Sequence, residues 1–316
     1  MRFGNYFFSC ILETDAILPP YKGSTFRGVF GHALKKVVCA LKKQECTECL
    51  LKAKCVYAFV FDTPEKDDQP SNKKRIASPP HPYVIEPPET SKTFFPKGDC
   101  FDFNLLLFGQ ANDYLPYFIY AFDQIGNLGI GKRINGARGT FLLKRVSANN
   151  QPVYSGEDKK IKGSYKPEDL APDDFFLPEK TSVRTLTIKL KTPLRLKFQN
   201  KLEASLPFHV LTRAMLRRIS SLFNYHGNGE PPLDYKGLVE KARSVGVKQS
   251  SLQWYDWKRY SNRQDQEMLM GGIVGEVTYE GDLPEFIPLL RFCEKAHLGK
   301  QTSFGLGKIE ITGMKP

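Results

Sequence analysis

The sequence predicts an α+β fold made of two tandem ferredoxin-like (RRM-like) domains, each with the element order βαββαβ. Strand-like and helix-like periodicities occur in that order twice along the 316 residues. A stretch rich in proline and charged residues, 151–180, separates the two series and is typical of a linker. We therefore expect one domain at residues 1–150 and another at 181–316.

The first half begins with the apolar strand RFGNYFFSCIL, and a cysteine-rich insertion at residues 39–62 follows its first helix. The elements predicted for this half are a strand at 2–12, a helix at 24–43, strands at 81–86 and 100–109, a short helix at 113–127 and a strand at 139–146.

The second half begins at residues 183–190, where apolar and polar side chains alternate as in a half-buried strand. The elements that follow are a helix at 205–225, strands at 253–260 and 270–280, a helix at 282–297 and a strand at 305–312. The two halves therefore repeat one pattern.

The charge balance favours a polyanionic partner. Lysine and arginine number 46 against 34 acidic residues, which gives a formal charge of +12 and a pI of about 9.2. Nucleic acid is the first candidate and an anionic membrane the second, although a basic protein without such a partner is the plain alternative. No apolar run approaches the roughly 20 residues that span a bilayer. The N-terminus reaches Glu13 and Asp15 early and is typical of a strand, so we expect a cytoplasmic protein.

Two glycine-rich segments share one spacing pattern, which we call the glycine frame. A triplet that ends in glycine is followed by five residues and then by a second triplet that ends in glycine. The two segments are GIGKRINGARG at residues 129–139 and HLGKQTSFGLG at 297–307, and each precedes the last strand of its half. A tight turn would explain one copy. Two basic copies without an acidic residue favour loops whose backbone N–H groups face phosphates. The candidate RNA-binding residues here are Lys132, Arg133, Arg138, Gly299, Lys300, Gly305 and Gly307.

The first helix carries the histidine with the best claim to chemistry. Its apolar residues form a stripe of 3.6-residue period, and His32 lies on the opposite face. Gly28 and Gly31 flank it, and a close approach by another chain would explain two glycines inside a helix. A plain solvent-exposed histidine is the alternative. The face opposite the stripe holds Gly28, His32, Lys35, Cys39 and Lys43.

Four cysteines cluster within seventeen residues and predict a structural metal. Cys39, Cys46, Cys49 and Cys55 have the spacing C-x6-C-x2-C-x5-C. In a cytosolic protein such a cluster favours metal ligands over disulfides. Zinc is slightly preferred to a [4Fe–4S] cluster, and either metal would brace the first helix without taking part in catalysis.

Two further segments of the second half combine basic and aromatic residues. Arg213 and Arg217 lie one turn apart on the helix face opposite its apolar stripe. The segment WYDWKRY, residues 254–260, places Trp254 beside Lys258 and Arg259. Such interleaving suits base stacking and phosphate contact, and a sheet strand with a cationic solvent side is an equal alternative.

These segments together resemble the RAMP superfamily of CRISPR-associated proteins, in particular the bacterial branch of the endoribonuclease that cuts CRISPR precursor RNA. The resemblance is carried by the glycine frame, by the C-terminal run GGIVGEVTYEGDLPEFIPLLRFCEKAHLGKQTSFGLGKIEI, and by LPPYKGSTFRGVFGHALKK followed by clustered cysteines. It implies two ferredoxin-like domains and metal-independent cleavage within repeats, leaving 2′,3′-cyclic phosphate and 5′-hydroxyl ends.

The resemblance also implies roles for individual residues. The family's catalytic histidine maps to His32, and Tyr21 with Lys35 or Lys36 are the nearest candidates for the acid and cation. Repeat RNA is the implied partner, with other CRISPR effector subunits and a second copy of the chain as further candidates, and no membrane. The alternatives are a non-catalytic RAMP subunit that holds guide RNA, which would not need His32, and a metal-dependent regulator, which would leave both glycine loops unexplained.

Overall fold

The computed structural model describes residues 1–42, 44–62, 79–163, 165–175, 182–196, 204–261 and 266–316, without the side chains of 173, 258–261 and 266–268. The chain divides into two compact units, Met1–Asp169 and Leu170–Pro316. Within the described ranges, every helix is too short or too polar to cross a lipid bilayer.

The first unit contains three helices and eleven strands among its described residues. In chain order they are β1 (Arg2–Leu12), β2 (Ala16–Ile17), α1 (Gly23–Val38), α2 (Val56–Phe61), β3 (Tyr83–Glu86), β4 (Phe94–Phe95), β5 (Phe103–Phe108), α3 (Leu115–Leu128), β6 (Ile130–Ile134), β7 (Ala137–Gly139), β8 (Phe141–Ala148), β9 (Gln151–Ser155), β10 (Lys160–Ile161) and β11 (Glu168–Asp169).

The main sheet of the first unit confirms the ferredoxin-like prediction. Its antiparallel strands run β10-β9-β8-β1-β5-β3, so that β8, β1, β5 and β3 take the 4-1-3-2 order of a βαββαβ domain. Helices α1 and α3 pack together through Phe30, whose ring lies 5.3 Å from that of Phe118 and 5.1 Å from that of Phe122. These aromatic contacts determine which face of α1 is buried, and the opposite face is left toward solvent.

The prediction that residues 151–180 form a linker is wrong for most of the described residues in that range. The described residues between 151 and 169 contain β9, β10 and β11, and this range belongs to the first unit, while 170–175 begin the second. Only Val153 and Tyr154 of β9 are buried, so the apolar signal of this segment is too short to stand out among its charged residues. Residues 176–180 of the predicted linker lie outside the described residues.

The second unit repeats the arrangement. Its elements are β12 (Thr185–Leu194), α4 (Phe208–His226), α5 (Tyr235–Lys241), β13 (Gly246–Ser250), β14 (Gln253–Ser261), β15 (Gln266–Glu280), α6 (Ile287–Ala296) and β16 (Ile309–Lys315). The strand order is β13-β15-β12-β16, again 4-1-3-2 when read from β16. β14 pairs with the first half of the 15-residue β15 and forms a long hairpin. Helix α5 and strand β13 were not predicted from the sequence.

Candidate functional site

His32 lies exposed on the outer face of α1, as its position off the apolar stripe predicts. Phe26, Phe30 and Leu34 of the stripe are buried. One turn before the histidine, Gly28 is exposed, and a Cβ placed there would meet no atom of the described residues within 4 Å. One turn after it, Lys36 is exposed. This α1 face, defined by Gly28, His32 and Lys36, is therefore open to a large ligand.

Lys35 differs from Lys36 because its ammonium group is already engaged. It contacts the Cys46 side chain, which raises the pKa of Lys35, and it lies 5.7 Å from the centre of the Tyr57 ring of α2. The structure therefore brings His32 and Lys36 onto one free surface, and directs Lys35 toward the cysteine-rich segment. Lys43, also predicted on this face, lies outside the described residues.

Tyr21 does not lie beside His32. It precedes the first residue of α1, and the nine helical steps from Gly23 to His32 amount to about 14 Å of axial rise. Burial of its hydroxyl raises the pKa of Tyr21 well above the ordinary range. A buried phenol so far along the axis is poorly placed to exchange protons with a substrate at His32.

Gly31 faces a neighbour within the chain and not open space, so the expectation that both glycines admit another chain is wrong at this position. A Cβ on Gly31 would lie 3.2 Å from the ring of Phe61 in α2. The guanidinium of Arg27 lies 5.2 Å from the centre of the same ring, and its Nη2 is 3.3 Å from Nε2 of His81. This cluster, which sequence reasoning missed, holds α2 against α1.

The cysteine cluster does not assemble into a metal site. All four are reduced cysteines outside any disulfide, and all four are half-buried. Among the described residues, no group of three or more His, Cys, Asp or Glu side chains could hold a metal ion. The metal prediction for Cys39, Cys46, Cys49 and Cys55 therefore has no geometric support, and it depends on the spacing alone.

The glycine-rich loop of the second unit, residues 297–307, uses much of its backbone internally. The N–H of Lys300 donates to Arg195 O (3.0 Å), that of Gly305 to Thr302 O (2.7 Å) and that of Gly307 to Pro193 O (3.1 Å). The expectation that the loop offers its amides to phosphates is wrong for these three groups. The Lys300 side chain is exposed and is the cation that this loop presents.

Close packing explains the glycines of this loop. Gly299, Gly305 and Gly307 have φ angles of 80°, 81° and 76°, in the region that disfavours other residues. A Cβ on Gly307 would lie 1.8 Å from Leu298 O, and one on Gly299 would lie 2.6 Å from Arg195 O. The loop is a fitted element and not an open anion-binding turn.

The matching segment of the first unit, 129–139, forms a different structure. It is the hairpin β6–β7, turned by Asn135 and Gly136 with φ angles of 49° and 86°. The three cations predicted from it, Lys132, Arg133 and Arg138, are exposed. The shared frame thus marks the same place in each domain but does not give one conformation.

A buried arginine anchors the start of the 297–307 loop. Nε and Nη2 of Arg218 donate to Ala296 O at 3.1 and 2.7 Å, and burial lowers the pKa of this guanidinium to about 10. The adjacent His297 is buried with Nδ1 3.0 Å from Leu306 O. Sequence reasoning missed Arg218, although its position three residues from Met215 placed it near the apolar face of α4.

The remaining predicted RNA-binding residues lie on α4 and β14. Arg213 and Arg217 are exposed one turn apart on α4. Trp254 is half-buried and its indole N–H donates to Asp256 at 2.7 Å. Lys258 and Arg259 pair through their backbones with Leu269 and Met268, and their side chains lie outside the described residues.

Comparison with protein families identifies the chain. Residues 188–309 match the model of the CRISPR-associated endoribonuclease Cas6. The chain is a Cas6-type CRISPR protein. Residues 1–166, which are more than half of this Cas6-type protein, match a second family model, described as the AF_1859_N N-terminal domain. The chain therefore also belongs to that family.

Relatives of this Cas6-type protein include an uncharacterized protein of Archaeoglobus fulgidus, 26% identical over 308 residues, which are 93% of this chain and 92% of that one. The structure superimposes on that of a Cas6 product complex with a TM-score of 0.55 and 14% sequence identity. The superposition covers 98% of this chain and 99% of that chain. Thermus thermophilus Cas6 has a TM-score of 0.53 at 13% identity, with 98% of each chain covered.

A longer relative comes from a partial Cas6-RT-Cas1–Cas2 complex. Its TM-score is 0.59 at 14% identity over all of this chain, which spans 48% of that longer chain. At these identities the structural likeness confirms the tandem ferredoxin-like fold.

Proposed function

We propose that the protein is a metal-independent endoribonuclease that cuts CRISPR precursor RNA within its repeats. The observation that carries the proposal is the match of residues 188–309 to the Cas6 endoribonuclease family. The formal charge of +12 fits an RNA substrate. The exposed His32 favours an enzyme over a subunit that only binds RNA.

The proposed reaction is an internal transesterification. A base takes the proton of a ribose 2′-hydroxyl, the 2′-oxygen attacks the adjacent phosphorus, and the bond from phosphorus to the 5′-oxygen breaks. An acid returns a proton to the leaving oxygen. The products are a 2′,3′-cyclic phosphate and a 5′-hydroxyl. Because the nucleophile belongs to the substrate, the scheme requires no metal-bound water.

We assign proton transfer to His32 and stabilisation of the developing phosphate charge to Lys36. Both side chains share the α1 face, and neither is buried. An imidazole exchanges protons near neutral pH, and an ammonium group close to the scissile phosphate stabilises the added negative charge. Tyr21 is left without a role in this scheme because its hydroxyl is buried.

Exposed cations on both units would bind the RNA backbone. In the first unit they are Lys132, Arg133 and Arg138, and in the second they are Arg213, Arg217 and Lys300. Phosphate contacts of this kind position an RNA without reading its sequence. Other CRISPR effector subunits and a second copy of the chain remain predicted partners.

The test is a comparison of His32→Ala with His226→Ala under single-turnover conditions. We expect His32→Ala to slow cleavage of repeat RNA by about 10²- to 10⁴-fold, which is the usual contribution of a proton-transfer side chain. Because His32 is exposed, its removal should change the free energy of unfolding by less than about 0.5 kcal/mol. His226, a half-buried histidine at the end of α4, is the control.

Near-normal cleavage by His32→Ala would contradict the assigned role. A wild-type protein that binds repeat RNA and cuts none of it would instead favour a non-catalytic RNA-binding subunit.

A further inference from the structure

Gln301, in the middle of the 297–307 loop, has a backbone conformation that glutamine rarely adopts. Its φ and ψ angles are 62° and 33°, in the left-handed region. This conformation costs free energy for any residue with a Cβ. Glycine would fit without that cost, and the loop already uses glycine at Gly299, Gly305 and Gly307. The side chain of Gln301 is therefore the feature that needs an explanation.

The carboxamide of Gln301 is poorly satisfied within the second unit. Its Nε2 has a sulfur acceptor, Met270 Sδ, at 3.8 Å. Its Oε1 is buried, and among the described residues it has no hydrogen-bond partner. A buried acceptor without a donor is costly, and a donor supplied by a ligand would relieve that cost.

Aromatic side chains lie on the same side of the β14–β15 hairpin as this carboxamide. Met270 is the cross-strand partner of Trp257, so both side chains share one face. The ring of Tyr255 stacks on that of Trp257 with centroids 5.8 Å apart and an interplanar angle of 21°. Tyr255 is 40% exposed. Trp254 points to the opposite face, where Asp256 holds its indole.

Cations border this carboxamide and aromatic pair. Lys300, the residue before Gln301, has an exposed side chain. Its backbone N–H donates to Arg195 O at 3.0 Å, and Nη1 of Arg195 donates to Gly271 O at 3.1 Å beside Met270. An exposed aromatic ring, an amide and an ammonium group are the three kinds of group that bind an unpaired nucleotide.

We propose that Gln301 reads one unpaired base of the bound repeat RNA. The base stacks on Tyr255, a donor of its edge bonds the Gln301 carboxamide, and the adjoining phosphate meets Lys300. This inference rests on the proposed function, because it takes repeat RNA as the ligand. It assigns specificity to Gln301 and Tyr255 and not to Trp254.

The test measures binding of repeat RNAs that carry every single-base substitution to wild type and to Gln301→Gly, by fluorescence anisotropy at one fixed salt concentration. We expect the wild type to discriminate at one unpaired position by about 5- to 100-fold, the range for a lost hydrogen bond at a buried polar group. Gln301→Gly should lose that preference and keep those at other positions. Tyr255→Leu should weaken binding of RNAs with the preferred base there.

Measurements of unfolding distinguish a role of Gln301 in base recognition from a role in stabilising the fold. Gln301→Gly should unfold at the same or a higher denaturant concentration than wild type, because glycine adopts this backbone freely. Asn150→Gly is the matched control, since Asn150 has a φ of 61° in an exposed turn of the first unit. It should leave every base preference unchanged.

A Gln301→Gly variant that keeps all base preferences would overturn the inference, and so would one that is only less stable. If that variant also cuts repeat RNA normally, the proposed endoribonuclease function is retained and only the role of Gln301 is lost. A wild type that neither binds nor cuts repeat RNA would overturn both.

Discussion

His32 and Lys36 share the exposed α1 face, whereas Lys35 directs its ammonium toward Cys46 and Tyr57. The two lysines should therefore respond differently to removal. Lys36→Ala should slow single-turnover cleavage by about 100-fold, because one cation near the developing charge is lost. Lys35→Ala should change the rate by no more than a few-fold and lower the melting temperature, because its contact with α2 is lost.

The measurement is single-turnover cleavage of repeat RNA together with a thermal melt of each variant. A larger loss of rate in Lys35→Ala than in Lys36→Ala would show that the ammonium of Lys35 leaves Cys46 to reach the RNA.

At the residue scale, helical periodicity was enough to find His32. Its distance from the apolar stripe is a local property of α1, so the sequence alone predicts its exposure. The cluster of Arg27, Phe61 and His81 could not be found in this way. Its members come from α1, α2 and a loop, and only the tertiary fold brings them together.

Among the elements, the 297–307 loop depends on glycine for its fit. Gly307→Ala should lower the free energy of unfolding of the second unit by more than about 2 kcal/mol, since it combines a left-handed φ with a Cβ 1.8 Å from Leu298 O. Gly163→Ala is the control, because Gly163 has a φ of 64° and no atom of the described residues lies within 4 Å of its Cβ position. It should cost about 1 kcal/mol in the first unit.

Denaturant unfolding of both variants checks this expectation. Equal losses in the two variants would mean that the loop can relax around an added methyl group and that the close approach to Leu298 is not restrictive.

The cysteine-rich segment gives a prediction that depends on spacing alone. The pattern predicts about one zinc or about four irons per chain in protein purified without oxygen. Cys49→Ser should lose that metal, whereas Cys100→Ser, which changes an exposed cysteine outside the cluster, should keep it. Elemental analysis measures both. Metal-free wild-type protein with four reduced thiols would contradict the prediction and agree with the absence of a ligand group among the described residues.

Element order was predictable because long helices and strands carry clear periodicities. Helix α4 and strand β12 follow their predicted positions within a few residues. Short elements were not predictable, since β13 is exposed at all five positions and offers no apolar pattern. The twin glycine segments show a further limit. One frame gives a hairpin in one unit and a tightly bonded loop in the other, because neighbouring strands decide which backbone groups are paired.

For the whole molecule, the two units repeat one strand order, and each presents exposed cations. The two family matches, at residues 1–166 and 188–309, together span most of the chain. The charge of +12 suits RNA in general and does not distinguish an enzyme from a binding subunit. The chemistry of cleavage makes that distinction.

The most direct test incubates wild-type protein with repeat-containing RNA in excess EDTA and determines the product ends by mass spectrometry. We predict cleavage at one site per repeat, with a 2′,3′-cyclic phosphate on one fragment and a 5′-hydroxyl on the other. An otherwise identical RNA with a single 2′-deoxyribose at that site should bind and remain uncut, because it lacks the nucleophile. Loss of activity in EDTA, or fragments with 3′-hydroxyl and 5′-phosphate ends, would contradict the proposed reaction.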